Sequence, residues 1–207
     1  MIEKTIETDL VYLYKTKWYS SKEKIPKIPQ KEYNAIYEIF NSVGKNPKNF
    51  YKQNNLGNIQ IENNSIVYLD IYNFELGIIP DSIENLENLE ILSLNGNNLN
   101  SIPEGIGNLK NLKELYLRRN QFKHIPQIIQ HLKNLKVLDL GYSLINNISE
   151  EEIEMLTNLR VLYIEKTPLT RKPTKETKKL LNKLRSKGVI VWDKYVGEEI
   201  DLFYSQD

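Results

Sequence analysis

Residues 89–134 decide the fold of this chain, and they read LEILSLNGNNLNSIPEGIGNLKN followed by LKELYLRRNQFKHIPQIIQHLKN. These two stretches of 23 residues align position by position without a gap. Self-similarity at a fixed period of this length is typical of repeat proteins, in which each unit buries its apolar face against its neighbours. The template LxxLxLxxNxLxxIPxxIxxLxN recurs on both sides, in units that start at 66, 89, 112, 135 and 159. We therefore predict a stacked solenoid over residues 66–170.

The template also predicts the structure inside each unit. The leucines at positions 4 and 6 alternate with other residues, which indicates a short strand with one buried face. Pro80, Pro103 and Pro126 lie in the return segment, and a proline cannot donate to a strand ladder. The IxxL spacing that follows predicts a helical or 3-10 turn there. At position 9, Asn97 and Asn120 are expected to bond the exposed backbone of the turn after the strand, as a ladder from unit to unit.

The pattern resembles the leucine-rich repeat, and its IPxxIxxL return segment is similar to that of intracellular Ras-suppressor-like proteins and plant Ras-group repeats. The resemblance covers about half of the chain. It implies an α/β fold: a right-handed solenoid with parallel strands on a concave face, turns or short 3-10 and helical segments on the convex face, and helical caps at both ends. It further implies a non-catalytic protein that binds a protein or peptide partner on the concave face, in signalling or scaffolding. A small GTPase or another signalling protein is the candidate partner that the resemblance suggests.

Caps are needed at both ends because the terminal units of a solenoid otherwise expose the apolar side chains of the core to water. Apolar residues at helical spacing from Tyr33 to Val43 predict one capping helix, and the stretch 174–187 predicts another. Phe74 replaces the asparagine of position 9 in the first unit, and we expect it to contact the N-terminal cap. The predicted organisation is an N-terminal extension and cap at 1–65 with a helix at about 31–43, repeats at 66–170, a capping helix and strand at 171–192, and an acidic tail at 193–207.

The composition argues against an enzyme or a metalloprotein. The chain has no cysteine, which excludes disulfides, thiolate zinc sites, iron–sulfur clusters and cysteine nucleophiles. The two histidines, His124 and His131, have no acidic neighbour at ligand spacing, so we expect them on the surface. No catalytic Ser/His/acid set, GxxxxGK[ST] or GxGxxG motif occurs. We predict no catalysis, no cofactor and no metal.

Charge and hydropathy suggest a compartment and exclude some partners. The 28 basic and 27 acidic residues nearly cancel, so the chain has no general attraction for nucleic acid or anionic lipid. The N-terminus carries acidic residues where a targeting signal would have a basic start and an apolar run. No stretch approaches the roughly 18 apolar residues of a membrane span. We expect a cytoplasmic monomer without a membrane span.

The candidate binding surface follows from the template, because positions 3, 5, 7 and 8 should face the concave side. Five strands about 4.8 Å apart span about 20 Å, which suits a peptide or one face of a small domain. Tyrosine and arginine dominate binding hot spots and are frequent at these positions. The predicted partner-binding residues are Tyr68, Tyr72, Tyr116, Arg118, Arg119, Asp139, Tyr142, Tyr163 and Glu165. The alternative is that Arg118 and Asp139 only pair with each other and the tyrosines only cover the sheet.

A second candidate surface is the basic C-terminal helix. Its cations are Lys175, Lys178, Lys179, Lys183, Arg185 and Lys187. This helix is the alternative site, for nucleic acid or an anionic surface. It is also explained as a solvated cap face, since positive charge is favourable near the C-terminus of a helix.

Overall fold

The strands of the computed structural model, which describes residues 28–44, 59–156 and 158–193, form one sheet in chain order. Its strands within those ranges are β1 Ile59–Glu62, β2 Ser65–Asp70, β3 Ile91–Ser93, β4 Glu114–Tyr116, β5 Val137–Asp139, β6 Val161–Tyr163 and β7 Ile190–Trp192. β1 pairs antiparallel with β2, and each later pair of neighbours is parallel. The predicted α/β solenoid is confirmed. The predicted extension before residue 28 and the tail from 194 lie outside the described residues.

Equivalent template positions lie side by side in the sheet. Leu69, Leu92, Leu115, Leu138 and Leu162 occupy position 4 and pair in register from strand to strand. All five are fully buried. Burying a leucine side chain contributes about 1.5–3 kcal/mol, so each leucine of this row stabilises the stack of units. Because side chains alternate along a strand, positions 3 and 5 must lie on the opposite, concave side.

The return segments form the convex side. The described residues contain four α-helices, α1 Gln30–Asn41, α2 Glu150–Met155, α3 Pro168–Arg171 and α4 Lys175–Ser186, and 3-10 helices at Asp81–Asn85, Glu104–Asn108 and Gln127–His131. Pro80, Pro103 and Pro126 directly precede the 3-10 helices, as the template predicts. The fourth unit is one residue longer and forms α2, which Ser149 and Glu152 start with a reciprocal capping box. None of the helices in the described ranges has the length and apolar character to cross a membrane.

The asparagine ladder is confirmed. Asn120 accepts hydrogen bonds from the backbone N–H groups of Asn97 (3.0 Å) and Leu99 (2.9 Å) through Oδ1. Its Nδ2 donates to the carbonyls of Leu94 and Leu117, both at 2.9 Å. Asn97 bonds the backbone of the first unit in the same manner. These amides satisfy the backbone groups that the strand-ending turns leave unpaired inside the solenoid.

The N-terminal cap replaces a missing repeat. In the later units, the N–H of position 1 donates to a carbonyl of the preceding unit, as Leu89 does to Leu86. The first unit has no preceding repeat, and the Glu32 carboxylate of α1 accepts the N–H of Ile66 at 2.8 Å instead. Burial raises the pKa of Glu32. The ring centroids of Phe40 and Phe74 lie 6.0 Å apart. This confirms the contact with the N-terminal cap that was expected for Phe74.

Candidate binding site on the concave face

Positions 3 and 5 of each unit form two rows of side chains across the concave face. The position-5 row consists of Asp70, Ser93, Tyr116, Asp139, Tyr163 and Trp192, in register across β2 to β7. Val191 of β7 packs against the core, so its neighbours Ile190 and Trp192 face outward. The Trp192 ring stacks on Tyr163, with centroids 6.2 Å apart. Ile190 and Trp192 are not among the predicted site residues, because β7 lies outside the repeat template.

The turn after each strand holds position 8 in the left-handed region. The residues concerned are Asn73, Gly96, Arg119, Tyr142 and Lys166, with φ between 55° and 69°. Such a conformation costs a non-glycine residue about 1 kcal/mol or more. The turn is held because the position-8 N–H donates to the position-7 carbonyl of the next unit, as Arg119 does to Gly141 at 2.9 Å. The backbone of Arg119 and Tyr142 is therefore held in a fixed position at the edge of the face.

Three charged side chains form a buried ion cluster, which we define as Arg118, Asp139 and Glu165. Nη1 of Arg118 donates to Oε1 of Glu165 and lies 3.8 Å from Oδ2 of Asp139. All three residues are only 4–5% exposed. Gly141 lies between them, and a Cβ there would be 2.9 Å from Nη1 of Arg118 and 3.0 Å from Oε1 of Glu165. The missing side chain of this glycine lets Arg118 reach from the third unit across the fourth to the fifth.

The ion cluster has too little positive charge for its two carboxylates. Burial raises the pKa of Asp139 to about 7, even though the N–H of Gly141 donates to Oδ1 at 2.8 Å and Arg118 favours the ionised form. The negative charge of Glu165 raises the pKa of Asp139 further. Oε2 of Glu165 is buried and has no hydrogen-bond partner among the residues that the structure describes. When both acids are ionised, one guanidinium is shared by two carboxylates, so this part of the face carries a net negative charge above the pKa of Asp139.

All nine predicted site residues lie on the concave surface or its edge, but with different accessibility. Tyr68, Tyr72, Tyr116, Tyr142 and Tyr163 are half-buried, and Arg119 is exposed. The members of the ion cluster have almost no surface left for a partner. The pairing of Arg118 with Asp139 that the alternative predicts is present, and Glu165 also pairs with Arg118. The Arg118 guanidinium also lies 4.4 Å from the centre of the Tyr142 ring. Sequence alone offered one signal for this cluster, the glycine at position 7 of the fourth unit.

The basic helix α4 is largely neutralised by acidic neighbours. Lys183 pairs with Glu150 at 2.6 Å and with Glu154 at 2.9 Å, and Lys187 pairs with Glu154 at 2.9 Å. These pairs join α4 to α2. The two lysines lower the pKa of Glu154 to about 2. The charges of α4 therefore have a structural explanation as contacts between the C-terminal cap and the last repeats.

His124 and His131 are exposed on the convex side. Among the residues that the structure describes, no group of three or more metal-ligating side chains is placed to hold an ion.

The repeated strands and turns agree with the similarity of the chain to known proteins. A family model described as a leucine-rich repeat region matches residues 48–191. The chain belongs to the leucine-rich repeat family. Proteins with this fold generally mediate protein–protein interactions. A comparison with curated proteins finds no match.

Several solved structures of leucine-rich repeat proteins are similar to this chain. The ectodomain of the receptor kinase SOBIR1 from Arabidopsis thaliana is 25% identical, with 68% of this chain and 82% of that chain covered and a TM-score of 0.51. A leucine-rich repeat protein of Leptospira interrogans is 26% identical, with 68% and 32% covered and a TM-score of 0.42. The internalin InlF from Listeria monocytogenes is 18% identical, with 63% and 37% covered and a TM-score of 0.45. The chain spans about a third of the length of these two bacterial proteins.

Proposed function

We propose that this protein is a non-catalytic binding module that holds a protein or peptide partner on its concave face. The observation that carries the proposal is the set of half-buried aromatic side chains on the concave face, of which Tyr116, Tyr163 and Trp192 share the position-5 row. Tyrosines contribute a large contact area with little loss of side-chain entropy. The backbone beneath them is bonded from unit to unit, so the surface is ordered before a partner arrives.

The exposed part of the predicted site, rather than the ion cluster, is proposed to make the contacts. Tyr116 and Arg119 are the accessible residues near its centre, and Tyr142 and Tyr163 lie in the next two units. The ion cluster is proposed to support this surface from below. Its guanidinium lies against the Tyr142 ring, and its acids lie beside Tyr163. This assignment gives Arg118, Asp139 and Glu165 a positioning role in binding.

The partner class and the compartment are further parts of the proposal. The similarity to Ras-suppressor-like repeats suggests a small GTPase or another signalling protein as the partner and a signalling or scaffolding role. The absence of cysteine supports a cytoplasmic location, since secreted leucine-rich repeat proteins commonly close their ends with disulfides. We propose a monomer. The ion pairs of α4 argue against nucleic acid or an anionic surface as the main ligand.

A capture experiment tests the proposal. The full chain is immobilised and incubated with lysate of the native cells, and retained proteins are quantified by mass spectrometry. We expect Tyr116→Ala combined with Arg119→Ala to reduce the specifically retained proteins. Tyr37→Ala is the matched control, because Tyr37 is an exposed tyrosine of α1, on the N-terminal cap. Equal retention by the double variant and the wild type, with unchanged thermal unfolding, would contradict the proposed site.

A further inference from the structure

The C-terminal half of the concave face carries an apolar strip, which we define as Val137, Val161, Ile190, Tyr163 and Trp192. Val137, Val161 and Ile190 are neighbours in register at position 3. Ile190 is 57% exposed, which is unusual for an isoleucine in a strand. The stacked rings of Tyr163 and Trp192 continue the strip at position 5. Three adjacent strands make the strip about 10 Å wide, enough for several side chains of a peptide.

Negative charge lies directly beside this strip. Burial raises the pKa of the Tyr163 hydroxyl, and the charges of Asp139, Glu165 and Glu114 raise it further. The carboxyl groups of Asp139, Glu165 and Glu114 therefore lie close enough to Tyr163 to act on its hydroxyl. Within the described part of the chain, Glu165 also keeps one buried carboxylate oxygen without a hydrogen-bond partner. Tyr116 and Tyr163 lie on either side of Asp139 in the position-5 row, and the faces of tyrosine rings attract cations.

We infer that the C-terminal half of the concave face binds an extended segment of a partner protein that carries a lysine or arginine next to apolar side chains. This inference rests on the proposed function and specifies its partner. The basic side chain lies between Tyr116 and Tyr163, above Asp139, where it supplies the positive charge that the ion cluster lacks. The apolar side chains of the segment lie on Val137, Val161 and Ile190. An extended peptide turns alternate residues to the surface it lies on, so the basic residue and an apolar residue are two positions apart.

Other occupants fit this surface less well. An acidic segment would meet Glu114 and the two acids of the ion cluster, and like charges brought together at an interface cost several kcal/mol in total. A nucleic acid or an anionic membrane would be repelled for the same reason. A purely apolar segment would cover the strip and leave the electronegative centre uncompensated. Each of these occupants is a distinct outcome of the test.

The test uses a phage-displayed library of random dodecapeptides, selected on the immobilised full chain at pH 8 and low ionic strength. We expect enrichment of peptides with lysine or arginine two positions from an apolar residue. The most enriched peptide is then synthesised with a fluorescent label, together with an analogue in which norleucine replaces the basic residue. Fluorescence anisotropy gives the Kd of each. The basic peptide should bind about five- to tenfold more tightly than its analogue.

Variants of the protein locate the contact. Glu114→Gln removes a charge from the face while leaving the ion cluster intact, and Asp139→Asn removes the central charge. Both should reduce the preference for the basic peptide over its norleucine analogue about threefold or more. Glu104→Gln is the matched control, because it makes the same change on an exposed glutamate of the convex side. Thermal unfolding of each variant verifies that it is folded.

The outcomes separate this inference from the function it specifies. Enriched peptides without basic residues, or a preference that both Glu114→Gln and Asp139→Asn leave unchanged, would overturn the inference while the concave binding module stands. If no peptide is enriched but Tyr116→Ala with Arg119→Ala still reduces protein capture, the inference fails alone. If no peptide is enriched and capture is also unaffected, both the inference and the proposed function fail.

Discussion

Asp139 should make the stability of this protein decrease between pH 5 and pH 8. Its pKa is about 7 in the folded chain, against 3.8 for an unperturbed aspartate. A group whose pKa is raised by folding stabilises the protein below its unfolded pKa, and that contribution is lost as the pH rises through the folded pKa. At pH 5 the folded protein holds the proton and the unfolded chain has mostly released it. At pH 8 both forms have mostly released it.

The expected magnitude follows from the two pKa values. Integrating the difference in bound protons from pH 5 to pH 8 gives a loss of about 2–3 kcal/mol of unfolding free energy from this group. Asp139→Asn cannot ionise and keeps a similar shape, so the variant should lack this loss. The groups around Asp139 are the same in both proteins, so the comparison reports on residue 139. They are Glu114, Tyr116 and Arg118 on one side, Tyr163 and Glu165 on the other, and Tyr142 after its own strand.

Urea unfolding followed by circular dichroism measures this effect at pH 5, 6, 7 and 8. The difference in unfolding free energy between wild type and Asp139→Asn should shift by about 2–3 kcal/mol against the wild type across that range. Glu104→Gln should follow the wild type at every pH. A difference that is constant from pH 5 to pH 8, or that shifts in favour of the wild type, would refute the buried and charge-deficient environment assigned to Asp139.

Three further predictions concern the elements that hold the site in place, each measured by urea unfolding at pH 7. Asn120→Ala should cost about 3–4 kcal/mol because its amide bonds the backbone on both sides, whereas Ser143→Ala at the same template position loses one bond to a carbonyl and should cost about 1 kcal/mol. Equal costs would contradict the ladder. Gly141→Ala should cost about 1–3 kcal/mol by pushing the ion cluster apart, and a neutral effect would mean that the cluster does not depend on this glycine. Glu32→Ala should cost about 2–3 kcal/mol by leaving the N–H of Ile66 unpaired, while Glu32→Gln retains an acceptor and most of the stability. Similar losses in both Glu32 variants would argue against the capping bond.

The template predicts backbone structure well because short-range interactions determine the strands and turns of each unit. The alternation around Leu92 and Leu94 predicts a strand, and the proline at 103 prevents a second strand in the same unit. The asparagine at 120 can satisfy turn groups in its own and the preceding unit. Each inference needs only a few residues and the assumption that equal units stack.

The caps were predicted less completely, since they follow no repeat. The helix expected at about 31–43 is Gln30–Asn41 in the structure. Its apolar spacing indicated an amphipathic helix and gave no sign that Glu32 would be buried against a backbone group 34 residues away. Similarly, a β-prone run after α4 suggested a strand. Its parallel pairing with β6 is what brings Trp192 beside Tyr163 and adds Ile190 to the concave face.

The periodic sequence is therefore sufficient to establish the family, the stacked units and the set of positions that line the concave face, because stacking equal units is the way they bury their leucines. Which of those positions remain available to a partner depends on contacts between units. Arg118 and Glu165 are 47 residues apart, and they meet because parallel stacking lines up three units and Gly141 leaves the space between them empty. Burial then decides the charge state of Asp139, since a carboxylate removed from water holds its proton unless enough positive charge lies nearby. The template predicts these charged groups on the concave face, and contacts between the units bury them beneath its surface.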